Sequence, residues 1–191
     1  MSLPSSESLA AVPLLAADAE AGTADAVEAS VLALFDRSAL GLLRYAASFG
    51  LGVEETEDVV QDVFLALFRH LSLGRDRTNL TGWLFRVTHN LALKRRQRIG
   101  RRAVAAGVLS PEIGPGVDPS PDPEVLLLTR ERRRRLGAVF NALPDRERRC
   151  MFLRAEGLTY REIARTLRVS LGAVSKSLAR ALTRLTNADE G

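Results

Sequence analysis

The segment AAGVLSPEIGPGVDPSPDPE, residues 105–124, constrains the fold more than any other stretch. It holds five prolines and three glycines in 20 residues. Each proline removes a backbone N–H and fixes φ, so neither a helix nor a strand ladder runs through it. The chain therefore divides into two folding pieces joined by a linker.

Both pieces have a helical period. In the first, VLALFDRSALGLLRYAASFG places Leu32, Leu34, Phe35, Leu40, Leu42, Leu43 and Tyr45 at three- and four-residue intervals, and Gly50 and Gly52 end the run. EETEDVVQDVFLALFRHL follows, with Val60, Val63, Phe64, Leu67 and Phe68 as its apolar stripe. Asp58, Gln61, Asp62 and Leu65 fall on another face by the same period. Glu54, Glu55, Glu57 and Asp58 crowd its first turn, where the helix dipole favours negative charge. After the polar loop SLGRDRTN, a third helix carries Trp83, Leu84, Val87 and Leu91 on one stripe, with Asn79 or Thr81 as its cap. In the second piece, LLLTRERRRRLGAVFNAL ends at Pro144 and PDRERRCMFLRAEG at Gly157. No strand-period segment occurs, so the expected fold is all-α with two small helical domains. Residues 1–30, rich in Ala, Ser and acids, read as a mobile tail.

The stretch LTYREIARTLRVSLGAVSKSLARALTRL, Leu158 to Leu185, carries the clearest local signal. Thr159 and Glu162 fit a capping box, which fixes where the first of two helices starts. Ile163, Ala164 and Leu167 face inward, and the small Ala164 allows close helix approach. Arg168 and Val169 form a tight joint, and Ser170 caps the next helix. Val174, Leu178, Ala181 and Leu185 form its buried stripe. Gly172, Ala173, Ser175, Lys176, Ala179 and Arg180 are left outward, small near the start and cationic further along. A helix entering a major groove needs that order: small residues at base edges, cations at phosphates. Cap, joint, small residues and charge together favour DNA binding over a plain helical hairpin.

A second basic run, HNLALKRRQRIGRR, places Lys94, Arg95, Arg96, Arg98, Arg101 and Arg102 after the Trp83 helix. Locally two readings stay open: a solvated helix end with a core tryptophan, or an aromatic platform with cations for single-stranded bases. Charge distribution supports a polyanionic partner. Five acids and no cations lie in residues 1–30, which leaves 27 cations against 18 acids, or +9, on the remainder.

Other chemistries find no foothold. Cys150 is the only cysteine and reads as a small buried side chain. His70 and His89 lack partners at metal-ligand spacing. There is no Gly-rich phosphate loop and no nucleophile beside a base. No apolar run approaches the length of a membrane span, about 18 residues. The expectation is a cytoplasmic, non-enzymatic protein without cofactor.

EDVVQDVFLALFRH, then GWLFRVTHNLALKRR, a proline-rich tether, and LPDRERRCMFLRAEGLTYREIARTLRVSLGAVSKSLARAL resemble, in that order, bacterial RNA polymerase sigma factors. With only two lobes the chain is similar to the compact extracytoplasmic-function (ECF) group, over about residues 31–187. The resemblance implies a first domain over residues 31–104 that binds the clamp of core RNA polymerase through Asp58, Gln61, Asp62 and Leu65. It implies that Trp83, Arg86, His89, Asn90, Lys94 and Arg95 recognise and help melt the minus-ten promoter element. The linker would be residues 105–124, and a helix–turn–helix domain over 125–187 would dock on the polymerase flap. Its recognition helix would read the minus-thirty-five element through Ser170, Gly172, Ala173, Ser175, Lys176, Ser177, Arg180 and Arg184. An anti-sigma protein is a further implied partner, and a stand-alone helix–turn–helix regulator is the alternative. The chain departs from the family pattern at three places. Arg168 stands where a glycine is common, Ser175-Lys176-Ser177 where Lys-Ser-Arg is common, and His89 where an arginine precedes the asparagine kept as Asn90.

Overall fold

The structure is a computed structural model that describes residues 12–105 and 126–190. Seven helices follow one another: α1 (Val12–Ala47), α2 (Val53–Ser72), α3 (Leu80–Ala105), α4 (Leu126–Ala142), α5 (Asp145–Ala155), α6 (Tyr160–Leu167) and α7 (Leu171–Glu190). No strand occurs among the described residues. The linker segment lies outside them apart from Ala105, the last residue of α3.

The first lobe packs α1, α2 and α3 together. α1 ends at Ala47 and the chain turns at Gly50, whose φ of 75° is open to glycine at little cost and whose N–H bonds Ala47 O at 2.9 Å. α2 starts at Gly52 without a side-chain cap, so Glu54 and Glu55 carry the complementary charge at its N-terminus. Val60, Val63, Phe64 and Leu67 are buried as their spacing predicts, with Val59 and Leu71 beside them. Phe68 differs. It lies one step around the helix from Leu67 and is half exposed, whereas Phe64 is covered by the Phe35 ring at 4.9 Å.

Residues 12–30, expected in a mobile tail, are instead part of α1. Alanine has the highest helix propensity, and this segment is rich in it. Val27 is 4% exposed and joins the apolar core, so packing as well as propensity extends the helix upstream.

In the second lobe, α5, α6 and α7 enclose Cys150, Leu153, Leu158, Ile163, Val174 and Leu178. α4 lies along α7, and Arg132 pairs with Asp189 at their far ends. The two lobes touch. Phe152 on α5 packs tilted against Tyr45 on α1 at 5.4 Å between ring centroids, and the Arg149 guanidinium lies 4.4 Å from the Phe49 ring centre. One apolar cluster runs through both lobes.

Candidate nucleic-acid and polymerase interfaces

Asp58, Gln61, Asp62 and Leu65 lie at i, i+3, i+4 and i+7 on α2, and all four are exposed. Leu65 is 50% exposed, an apolar centre in an acidic rim. Asp58 is not independent of α3, because it forms an ion pair with Arg95. The acidic face of α2 and the basic run of α3 are thereby tied together.

α3 begins at Asn79, which settles the choice between two expected caps. Asn79 Oδ1 accepts from the Gly82 N–H at 3.0 Å, and its φ of 52° is a conformation asparagine tolerates. Trp83 is half buried against the His70 ring, 4.9 Å away, and His70 is fixed by a 2.8 Å hydrogen bond to Asp76 O. Arg86 and Lys94 are exposed, and Asn90 is half buried. Arg95 is engaged with Asp58.

His89 departs from its expected DNA-contacting place. It is 7% exposed and hydrogen-bonds the Tyr45 hydroxyl at 2.9 Å. Burial lowers its pKa to about 4, and the positive charges of Arg149 and Arg168 act in the same direction. A neutral, enclosed imidazole supports the core here rather than meeting a phosphate.

The helix–turn–helix forms as its sequence predicts. The Thr159 hydroxyl accepts from the Glu162 N–H, while Glu162 accepts from the Thr159 N–H at 2.5 Å and its hydroxyl at 2.7 Å. Arg168 closes α6 in the left-handed region, φ 55°, and Val169 N–H bonds Ala164 O at 3.0 Å. Ser170 Oγ accepts from the Ala173 N–H at 3.2 Å and starts α7. Gly172, Ser175, Lys176 and Arg180 are exposed, and Ala173 is half buried.

Two expected reading residues on α7 sit elsewhere. Ser177 is buried and faces the Cys150 thiol. Arg184 reaches across to α5 and pairs with the buried Glu147 at 2.5 Å. Contacts between the lobes also matter. Glu162 accepts a hydrogen bond from the Asn79 amide across the lobes, and Arg96 pairs with Asp145 at 3.2 Å. No sequence signal announces these contacts, because each partner lies in the other lobe, beyond the linker.

Two family descriptions match the chain: Sigma-70 region 2 over residues 34–102 and Sigma-70, region 4 over residues 133–185. The chain belongs to the sigma-70 family of RNA polymerase sigma factors. Its relatives place it in the ECF group of that family. It is 33% identical over 132 residues to the ECF RNA polymerase sigma factor SigE of Mycolicibacterium smegmatis, covering 69% of this chain and 50% of that one. It is 30% identical over 139 residues to the ECF RNA polymerase sigma-E factor of Escherichia coli, covering 70% and 73%. Against the probable sigma factor RfaY of Xanthomonas campestris it is 29% identical and spans 34% of that protein's length. The chain thus spans between a third and three quarters of these relatives. Solved structures share the fold. The sigma factor RpoE in complex with the anti-sigma factor NepR from Bartonella quintana superposes with a TM-score of 0.65 at 21% identity, over 84% of this chain and 94% of that one. CnrH in complex with the cytosolic domain of CnrY superposes at 0.54 and 24% identity, over 88% and 92%.

Proposed function

We propose that the chain binds core RNA polymerase, directs it to promoters of a particular set of genes and contributes no catalytic step of its own. The observation that carries this is the pairing, in one chain and in family order, of an exposed acidic helix face with an exposed helix–turn–helix surface. Asp58, Gln61, Asp62 and Leu65 meet the polymerase clamp. Trp83, Arg86, Asn90 and Lys94 engage the minus-ten element, and Arg95 beside them is held by Asp58. His89 supports that region from inside.

In the second lobe, Gly172, Ala173, Ser175, Lys176 and Arg180 face the minus-thirty-five groove, with Ser170 setting the start of their helix. A shallow, open recess lined by Val139, Ala142, Leu143, Pro144, Arg184 and Asn187 is where the polymerase flap would dock. Fully extended, the 20 residues of 105–124 would reach ~70 Å, about two turns of duplex, enough for both elements to be held at once. Opening the strand and extruding a base costs a few kcal/mol, which polymerase contacts offset. The work is cytoplasmic. No described helix is long and apolar enough to cross a membrane. An anti-sigma protein is a fitting partner, since both solved neighbours are described with proteins bound, one of them named an anti-sigma factor.

Purified core polymerase should initiate at specific genomic promoter fragments only when the chain is added. Asp62→Lys should weaken core binding by about tenfold, ~1.4 kcal/mol, with the thermal transition unmoved. Asp62 is the cleaner probe because Asp58 is already paired with Arg95. Stable operator binding by the free chain with no core association in a pulldown would instead favour a stand-alone regulator.

A further inference from the structure

Two adjacent residues at the start of α7 do little for the fold. Leu171, the first residue of the helix, is 48% exposed. Gly172 follows it, and a Cβ placed there would meet no heavy atom within 4 Å. No close approach inside the chain therefore calls for a glycine, a poor helix former. The turn that carries the two is held firmly all the same. Ser170 accepts the Ala173 N–H on its Oγ at 3.2 Å and the Val174 N–H on its carbonyl at 3.1 Å. Val174 is fully buried, which anchors the turn from below.

A lone exposed leucine is ordinary on a protein surface. Position distinguishes this one. The first turns of a recognition helix are the part that reaches base edges, and the major groove offers them one apolar feature, the thymine C5-methyl group. Leu171 is the one large apolar side chain exposed in the first two turns of α7, beside exposed Gly172, Ser175 and Lys176. Leu182 is 53% exposed but sits about three turns further on, roughly 16 Å along the axis and away from those base pairs.

We propose that Leu171 is a specificity-determining residue: it packs on the C5-methyl group of one thymine in the minus-thirty-five element, while the bare backbone at Gly172 lets the helix come close. The proposal rests on the reading of α7 as the helix that enters that element. Burying one methyl group in such a contact is worth about fourfold in affinity. The preference at that base pair comes from an apolar contact, whereas Ser175 and Lys176 supply hydrogen bonds to their neighbours in the groove.

With the chain assembled on core polymerase, duplexes selected from a pool randomised across the minus-thirty-five region define the element. Each thymine in it is then replaced singly by uracil, which removes the methyl group and keeps every base-pairing group. One replacement should weaken binding about fourfold. Leu171→Ala should bind the thymine duplex more weakly by a similar factor and be indifferent to that replacement. Leu182→Ala should respond to uracil as the unsubstituted chain does. Both substitutions remove exposed side chains and leave a strong helix former behind. Selection repeated with Leu171→Ala should lose the thymine preference at that position alone.

Equal sensitivity to uracil at every position in Leu171→Ala and the unsubstituted chain overturns the proposal. An element without thymine, or one in which no thymine responds, overturns it as well. If selection enriches no sequence, or if Lys176→Ala and Arg180→Ala both leave duplex binding unchanged, the reading of α7 itself fails, and the role of Leu171 fails with it.

Discussion

At the scale of single residues, His89 joins the chemistry of the site to the stability of the fold. Its ring is enclosed by Tyr45 of α1 and Phe49 in the turn after it, with Arg149 of α5 and Arg168 of the α6–α7 joint nearby. The Tyr45 hydroxyl is itself pushed up in pKa, chiefly by burial, so neither member of the pair is charged near neutrality. A base whose pKa falls on folding binds its proton better in the unfolded chain. Its contribution is therefore complete above the ordinary value of 6.5 and is lost as pH drops towards about 4. Thermal midpoints should fall from pH 6.5 to pH 4.5 (values set by that window), and His89→Gln should flatten the fall. Equal slopes in the two proteins would contradict this account. A smaller slope will remain in the variant. Burial alone would raise the Glu162 pKa, but its bonds with Thr159 and Asn79 hold it below the usual value, so protonating it also weakens the fold.

At the scale of elements, the α6–α7 joint separates what local sequence encodes from what it does not. The capping box and the Ser170 cap were readable because donor and acceptor lie three residues apart. Ser177 was readable too, since it lies three residues after Val174 and four before Ala181 on the inward stripe. The family pattern, which commonly has an arginine at this place, drew it outward instead. Arg184 was not readable, because Glu147 sits on another helix. The extension of α1 through Val27 and the contact between lobes likewise depend on partners that no local period reveals. The joint itself carries the clearest prediction. Arg168 occupies a left-handed conformation, φ 55°, which costs a side-chain-bearing residue ~1–2 kcal/mol and glycine almost nothing. Glycine's greater freedom in the unfolded chain takes back part of that difference. Arg168→Gly should therefore stabilise the protein by roughly 0.5–1 kcal/mol in urea titrations, and Arg168→Val should destabilise it. A loss of stability in the glycine variant would mean that the arginine side chain contributes more than its backbone strain costs.

At the scale of the whole molecule, cations divide into those held by the fold and those left for a polyanion. Arg95, Arg96 and Arg184 are held, each by a carboxylate on another helix. Lys176 and Arg180 are exposed on α7 and make no ion pair among the described residues. The two groups should respond differently to the same substitution. With the chain assembled on core polymerase, Lys176→Ala or Arg180→Ala should lower the salt dependence of promoter-duplex binding by about one counterion each, at unchanged stability. Arg184→Ala should leave that slope in place. It strips the partner from Glu147, which is 6% exposed, and should cost ~1–3 kcal/mol of folding free energy in urea titrations. If Arg184→Ala instead reduced the slope without touching stability, Arg184 would leave Glu147 to grip a phosphate when the duplex arrives, and the division between structural and DNA-reading cations on α7 would have to be redrawn.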